Sequence, residues 1–177
     1  MNTDPTNTPL AVDPDGGGLA HRVGRLASYV GGSRLAPGER AALKRWAPGQ
    51  APPLTFYRLW LQGLGEELPA PEQGQAWMQI AWGLAMGVAH RRERPLGRAL
   101  AESHFAEARL ERLLAAPPAL LPGLFSALVR FLGAKGETFD WLDGARLLLS
   151  HDGERREAVH RRIASHYYSH LPRLEKE

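Results

Sequence analysis

The sequence predicts an all-α protein, a compact bundle of about eight or nine helices. Apolar residues recur three and four apart along most of the chain, the spacing that collects them on one face of a helix. No stretch alternates with period two, and no hairpin dipeptide separates β-branched runs. Ala, Leu, Arg and Glu are abundant while Val and Ile are scarce, a composition that favours helix. A chain of 177 residues suffices for one domain, or two small helical lobes, burying about two-thirds of its surface. No repeat at a solenoid period is present.

Met1 to Gly18 is rich in Asp, Asn, Thr, Pro and Gly and offers nothing to bury. It reads as a disordered tail, leaving residues 19–177 as a single helical domain. Leu19, Val23, Leu26 and Val30 then mark a first helix that stops at Gly31-Gly32. Pro37 to Trp46 comes next, with Ala41, Leu43 and Trp46 available for packing. Pro48 to Pro53 is a connector that a helix could not cross. Leu54 to Leu64 carries the stripe Phe56, Leu59, Trp60 and Leu64.

Glu72 to His90 is apolar around much of its circumference and reads as the central, buried helix. Arg91 to Arg94 forms a charged loop. From Pro95 to Ala116 the pattern is helical again, with Pro95 at a favoured starting position. Ser103 interrupts the run and is placed to cap the next helix, with Glu107 in that helix's first turn. Ala106, Leu110, Leu113 and Leu114 fall on one apolar arc. Leu120 to Leu132, Trp141 to Leu149 (capped by Asp140) and Glu154 to His170 complete the set. The five tryptophans, at 46, 60, 77, 82 and 141, read as core.

Composition narrows the chemistry. There is no cysteine, which rules out disulfides, zinc ribbons and thiol catalysis. The N-terminus MNTDPTNTPL has no apolar core, and no apolar run approaches the roughly 18 residues of a membrane span. The expectation is a soluble, cytoplasmic protein with no membrane partner. Nucleotide-cradling glycine motifs, a nucleophile elbow and a carboxylate cluster are all missing, so neither enzyme activity nor a cofactor is expected. His166 and His170 share a helix face, but Tyr167 stands where a zincin needs glutamate and no third ligand is evident, so no metal is expected. Tyr167 and Tyr168 fit packing at the end of the last helix better than base stacking.

The formal charge is +3 with a pI near 9.6, carried mainly by arginine; Lys44, Lys135 and Lys176 are the only lysines. Helix faces in water usually intersperse opposite charges three or four apart. Two basic edges do not. Arg109 and Arg112 flank the apolar arc with no acid at i±3 or i±4, and Arg40, Lys44 and Arg45 are likewise unmatched within their helix. Such cations are a solvated edge, partners for acids on another helix, or phosphate contacts. Arg98, with Glu102 at i+4, reads as structural.

The stretch LGRALAESHFAEARLERLL resembles the signature region of the CasB family, the small subunit of the type I-E CRISPR surveillance complex called Cascade. GERAALKRW followed by FYRL upstream, and FDWLDGARLL downstream, fit the same family in the same order. The resemblance implies a non-catalytic subunit that stabilises the R-loop by holding the displaced, non-target DNA strand. It also implies two copies side by side against the backbone subunits that coat the guide RNA. The large subunit is a further partner, and contact with the guide RNA itself stays open. Carried over by motif, the DNA-holding surface takes in Arg45 with its neighbour Lys44, then Arg109, then Arg130 in LVRFL. It continues to Arg155 or Arg156 in GERRE, where Asp152 leaves a local salt bridge open. Arg40 and Arg112, on the same two edges, complete the candidates. The alternative is a helical adaptor that touches only protein.

Overall fold

Nine α-helices form among residues 16–171, the part of the chain described in the computed structural model, and no strand does. The first three are α1 (Gly16–Gly31), α2 (Pro37–Lys44) and α3 (Leu54–Arg58), which continues as a π-wound turn, Leu59–Leu64. A 3-10 turn, Pro71–Gln73, leads into α4 (Gly74–Ala85). Next come α5 (Leu96–Glu102), α6 (Glu107–Leu114), α7 (Leu121–Ala134), α8 (Trp141–Leu149) and α9 (Gly153–His170). The all-α expectation holds, and no described helix is long and apolar enough to cross a membrane.

Helix α4 is the centre. Every residue from Trp77 to Ala85 is buried, and α1, α2, α7 and α8 pack around it. All five tryptophans are buried, with Trp60 and Trp77 in edge-to-face contact at 5.3 Å. The helix is shorter than its apolar run suggested. Gly87 takes φ 95°, a left-handed conformation that turns the chain away before His90.

Three local expectations need correction. Helix α1 begins at Gly16, so residues 16–18 belong to it rather than to the preceding tail; residues 1–15 and 172–177 lie outside the described residues. Ser103 does not cap the helix after it. Its hydroxyl donates back to the Ala99 carbonyl, closing α5, and His104 at φ 58° redirects the chain. Ala106 is then the N-cap of α6 and is exposed, while Phe105 takes the buried place expected for it. Asp140, by contrast, caps α8 as expected, accepting from the Leu142 N–H at 2.9 Å.

The closest helix pair is α5 on α9. A Cβ at Gly97 would stand 2.1 Å from the Ile163 carbonyl oxygen and 2.8 Å from the Tyr167 nitrogen, both backbone atoms that cannot yield. Asp143 of α8, 2% exposed, locks the same corner. One carboxylate oxygen accepts the Leu96 N–H that opens α5 (2.9 Å), and the other accepts from Arg162 Nε of α9 (2.8 Å). Nearby, the loop after α4 zips to the loop before α8. Phe139 donates to Ala89, Arg91 donates to Phe139, and the His90 ring accepts the Trp141 N–H through Nδ1 at 3.0 Å.

Gly97→Ala should therefore cost about 1–3 kcal/mol by overpacking. Gly24→Ala, at a helical site with open space around it, should be neutral or slightly stabilising; paired thermal melts check both. His90 gives a pH dependence. Burial, and secondarily Arg92, lower its pKa from 6.5 against an opposing pull from Asp140. The folded state then binds fewer protons than the unfolded chain, so this contribution is present above 6.5 and is lost as pH falls through the lowered value. The loss of stability between about pH 7.5 and pH 5.5 should be smaller in His90→Gln than in the wild type.

Candidate nucleic-acid interface

The basic residues divide by what holds them. One group is tied to acids. Arg25 reaches Glu66 at 2.6 Å, Arg58 reaches Glu39 at 3.1 Å, and Arg98 reaches Glu102 at 2.8 Å. Arg94 bridges Glu102 and Glu137, and Arg162 is on Asp143. The Arg98–Glu102 pair matches its structural expectation. These guanidinium groups have spent donors on carboxylates.

A second group lies on aromatic rings instead. The buried Tyr167 hydroxyl donates to the Phe105 carbonyl at 2.6 Å, pinning the turn that precedes α6. Phe105 packs edge-on against Phe131 of α7, with ring centroids 5.1 Å apart. Arg109, in the first turn of α6, sets its guanidinium carbon 4.7 Å from the Phe105 centroid and 5.3 Å from that of Phe131. Lys135, the C-cap of α7, places its ammonium 5.1 Å from the same Phe131 ring. Arg130 lies over Trp82 of α4 at 5.5 Å. All three cations are exposed, and none has an acid partner among the described residues. A cation over a ring face is held by the ring's quadrupole and keeps its N–H donors for another acceptor.

The other candidates part ways. Lys44 and Arg45 at the end of α2, and Arg112 one turn along α6 from Arg109, are without an ion pair among the described residues, and Lys44, Arg45 and Arg112 are all exposed. Arg40 donates to the Val30 carbonyl at the end of α1. Arg156 donates to the Leu114 (3.4 Å) and Ala116 carbonyls, closing the C-terminus of α6. Arg155 pairs with Asp152 at 3.4 Å, the local bridge left open by the sequence. Arg40 and Arg156 thus serve as links between elements.

Arg109 and Lys135 share the Phe131 ring of α7, Arg112 is one turn further along α6, and Arg130 lies over Trp82 of α4. Lys44 and Arg45 adjoin Trp46, which with Leu121, Pro122, Ser150, His151 and Arg156 lines a shallow cleft at the start of α7. Pro122 and Arg130 are roughly 12 Å apart along that helix. The Gln79 amide in this cleft is already committed, donating to the Pro122 carbonyl at 2.7 Å and the Ser126 hydroxyl at 3.0 Å. Elsewhere, the Tyr168 hydroxyl donates to Glu107, and His170 meets the His166 carbonyl at 2.7 Å. The bond to Glu107 holds the Tyr168 proton, raising its pKa.

Lys135 was not singled out from the sequence. The signal for it was there: Phe131 of α7 stands four residues before Lys135, the spacing that puts ring and cation on one side of a helix, and Phe105 stands four before Arg109.

No curated protein and no solved structure matches the chain. Residues 39–168, nearly three quarters of its length, match the family described as CRISPR-associated protein Cse2. That span covers α3 to α8 whole and all eight candidate cations. The chain belongs to this family, the one the sequence motifs resembled under the name CasB, and is a subunit of the CRISPR Cascade complex.

Proposed function

We propose that the protein is a non-catalytic subunit that stabilises the R-loop of type I-E Cascade by holding the displaced DNA strand. The observation that carries this reading is the set of exposed cations with uncommitted donors: Lys44, Arg45, Arg109, Arg112 and Arg130. Single-stranded phosphates are the acceptor such donors suit, and a strand held by its backbone can have any sequence. Arg40 and Arg156 hold helix ends, and Arg155 answers Asp152. These three shape or border the surface while the five free cations bind.

Modest contacts suffice for this role. Exchanging a DNA duplex for a guide–target duplex is nearly balanced in pairing energy, as argued for another RNA-guided effector, so backbone contacts can tip it. Two copies beside the guide-coating backbone, with the large subunit as neighbour, are implied by the family resemblance.

A second reading has its own observation. Leu54, Tyr57 and Leu61 are exposed at helical spacing along α3 and its π-wound extension, Leu54 by 80%. This is an apolar face of the kind a protein contact covers. Bracing of the backbone belongs to the first reading as well, so the two differ in whether the cations matter.

The deciding experiment is R-loop formation by the assembled complex with wild-type subunit, without it, and with Lys44, Arg45, Arg109 and Arg130 changed to alanine. The expected result is intact assembly with R-loop stability reduced to the level without the subunit. Wild-type behaviour of the variant would leave the adaptor reading standing. In a direct assay with poly-dT, one phosphate contact by each of the five free cations predicts a salt slope of about −3.5, at roughly 0.7 per phosphate.

A further inference from the structure

Lys135 stands outside every motif that carried the basic face, yet it shares a ring with Arg109. The two charged groups approach Phe131 to 5.1 and 5.3 Å from its centroid. Two cations on one ring repel each other, and an acid between them would relieve that repulsion. None is supplied among the described residues. Glu137, two residues after Lys135, is bound to Arg94, which also holds Glu102. Glu107 of α6 accepts from the Tyr168 hydroxyl and pairs with neither cation among the described residues.

The surroundings add positive charge. The loop after α4 is zipped against the segment just beyond Lys135, with Arg91 donating to the Phe139 carbonyl at 3.0 Å. Arg91 and Arg92 of that loop are exposed, with Glu93 next to them in sequence. The ring arrangement also fixes what can be read. Phe131 is half-buried and has Phe105 at its edge and both cations close by, so a base finds little room to stack on it.

We propose that Lys135 is a phosphate contact for single-stranded nucleic acid, paired with Arg109 across Phe131, so that the basic face extends past the end of α7. The inference rests on the reading of that face as a strand-binding surface. Phe131 acts as the positioning residue, presenting two cations without consuming their donors.

The test uses the full chain and a poly-dT oligonucleotide, with affinity measured over a series of salt concentrations. Variants are Lys135→Gln, Lys135→Arg and Arg109→Ala; both parent side chains are exposed, and thermal melts confirm the fold. Support is a salt slope flattened by about 0.7 in Lys135→Gln, as expected for one lost phosphate contact, and retained in Lys135→Arg. If Arg109→Ala flattens the slope while Lys135→Gln leaves it at the wild-type value, the Lys135 assignment is overturned and the strand-binding reading stands. A wild-type slope near zero overturns that reading and this inference together.

Discussion

The corner built on Asp143 governs where the candidate surface lies. A carboxylate this buried is costly unless its oxygens are matched, and both are: one by the first N–H of α5, the other by Arg162 of α9. Asp143 therefore joins three helices through one side chain of α8. The approach it secures is closer than an ordinary helix pair, because Gly97 lets α5 ride on the backbone of α9. The consequence reaches the surface. Tyr167 of α9 holds the Phe105 carbonyl, Phe105 sets the entry to α6, and Arg109 lies on the Phe105 ring. The position of an exposed cation is thus fixed by contacts made in the interior.

The distinction between acid-held and ring-held cations has a physical basis. A carboxylate consumes the in-plane donors of a guanidinium and cancels its charge, leaving little for a ligand. A ring holds the same group by its face, and both charge and donors survive. This explains how a chain with a formal charge of only +3 can present a basic face. Glu39, Glu66, Glu102, Glu137 and Asp143 are drawn into pairs with Arg25, Arg58, Arg94, Arg98 and Arg162, while Arg109, Arg130 and Lys135 have no acid partner among the described residues. Net charge averages the two populations and understates the second.

Periodicity made the helices legible because burial tracks it: Phe56, Leu59, Trp60 and Leu64 were read as a stripe and are all buried. The motifs in α2, α5, α6 and α8 were equally legible, and the family was read from them. What local pattern could not show was long-range partnership. Arg40 has no acid three or four residues away and Arg156 has Asp152 four before it, yet each meets a backbone carbonyl at the end of another helix. Counting acids at i±3 and i±4 cannot see a carbonyl 40 residues away in sequence. Trp82 under Arg130 was invisible for the same reason. Ser103 misled differently: a serine before a new helix can cap forward or bond back, and His104 in the left-handed region settles it backward.

Lys135 shows where a better rule lies. Testing a cation for acidic neighbours asks only whether it is neutralised, whereas a phosphate contact must also be held in place at modest entropic cost. An aromatic residue four positions earlier meets both conditions, since it orients the cation without pairing its charge. Phe105–Arg109 and Phe131–Lys135 both have that spacing, and in the fold they converge on one ring. Two local patterns, each weak alone, gain meaning because the packing of Phe105 on Phe131 brings α6 and α7 together. A surface assembled in this way favours backbone over base: its rings are occupied by the protein's own cations, and the tryptophans lie in the core.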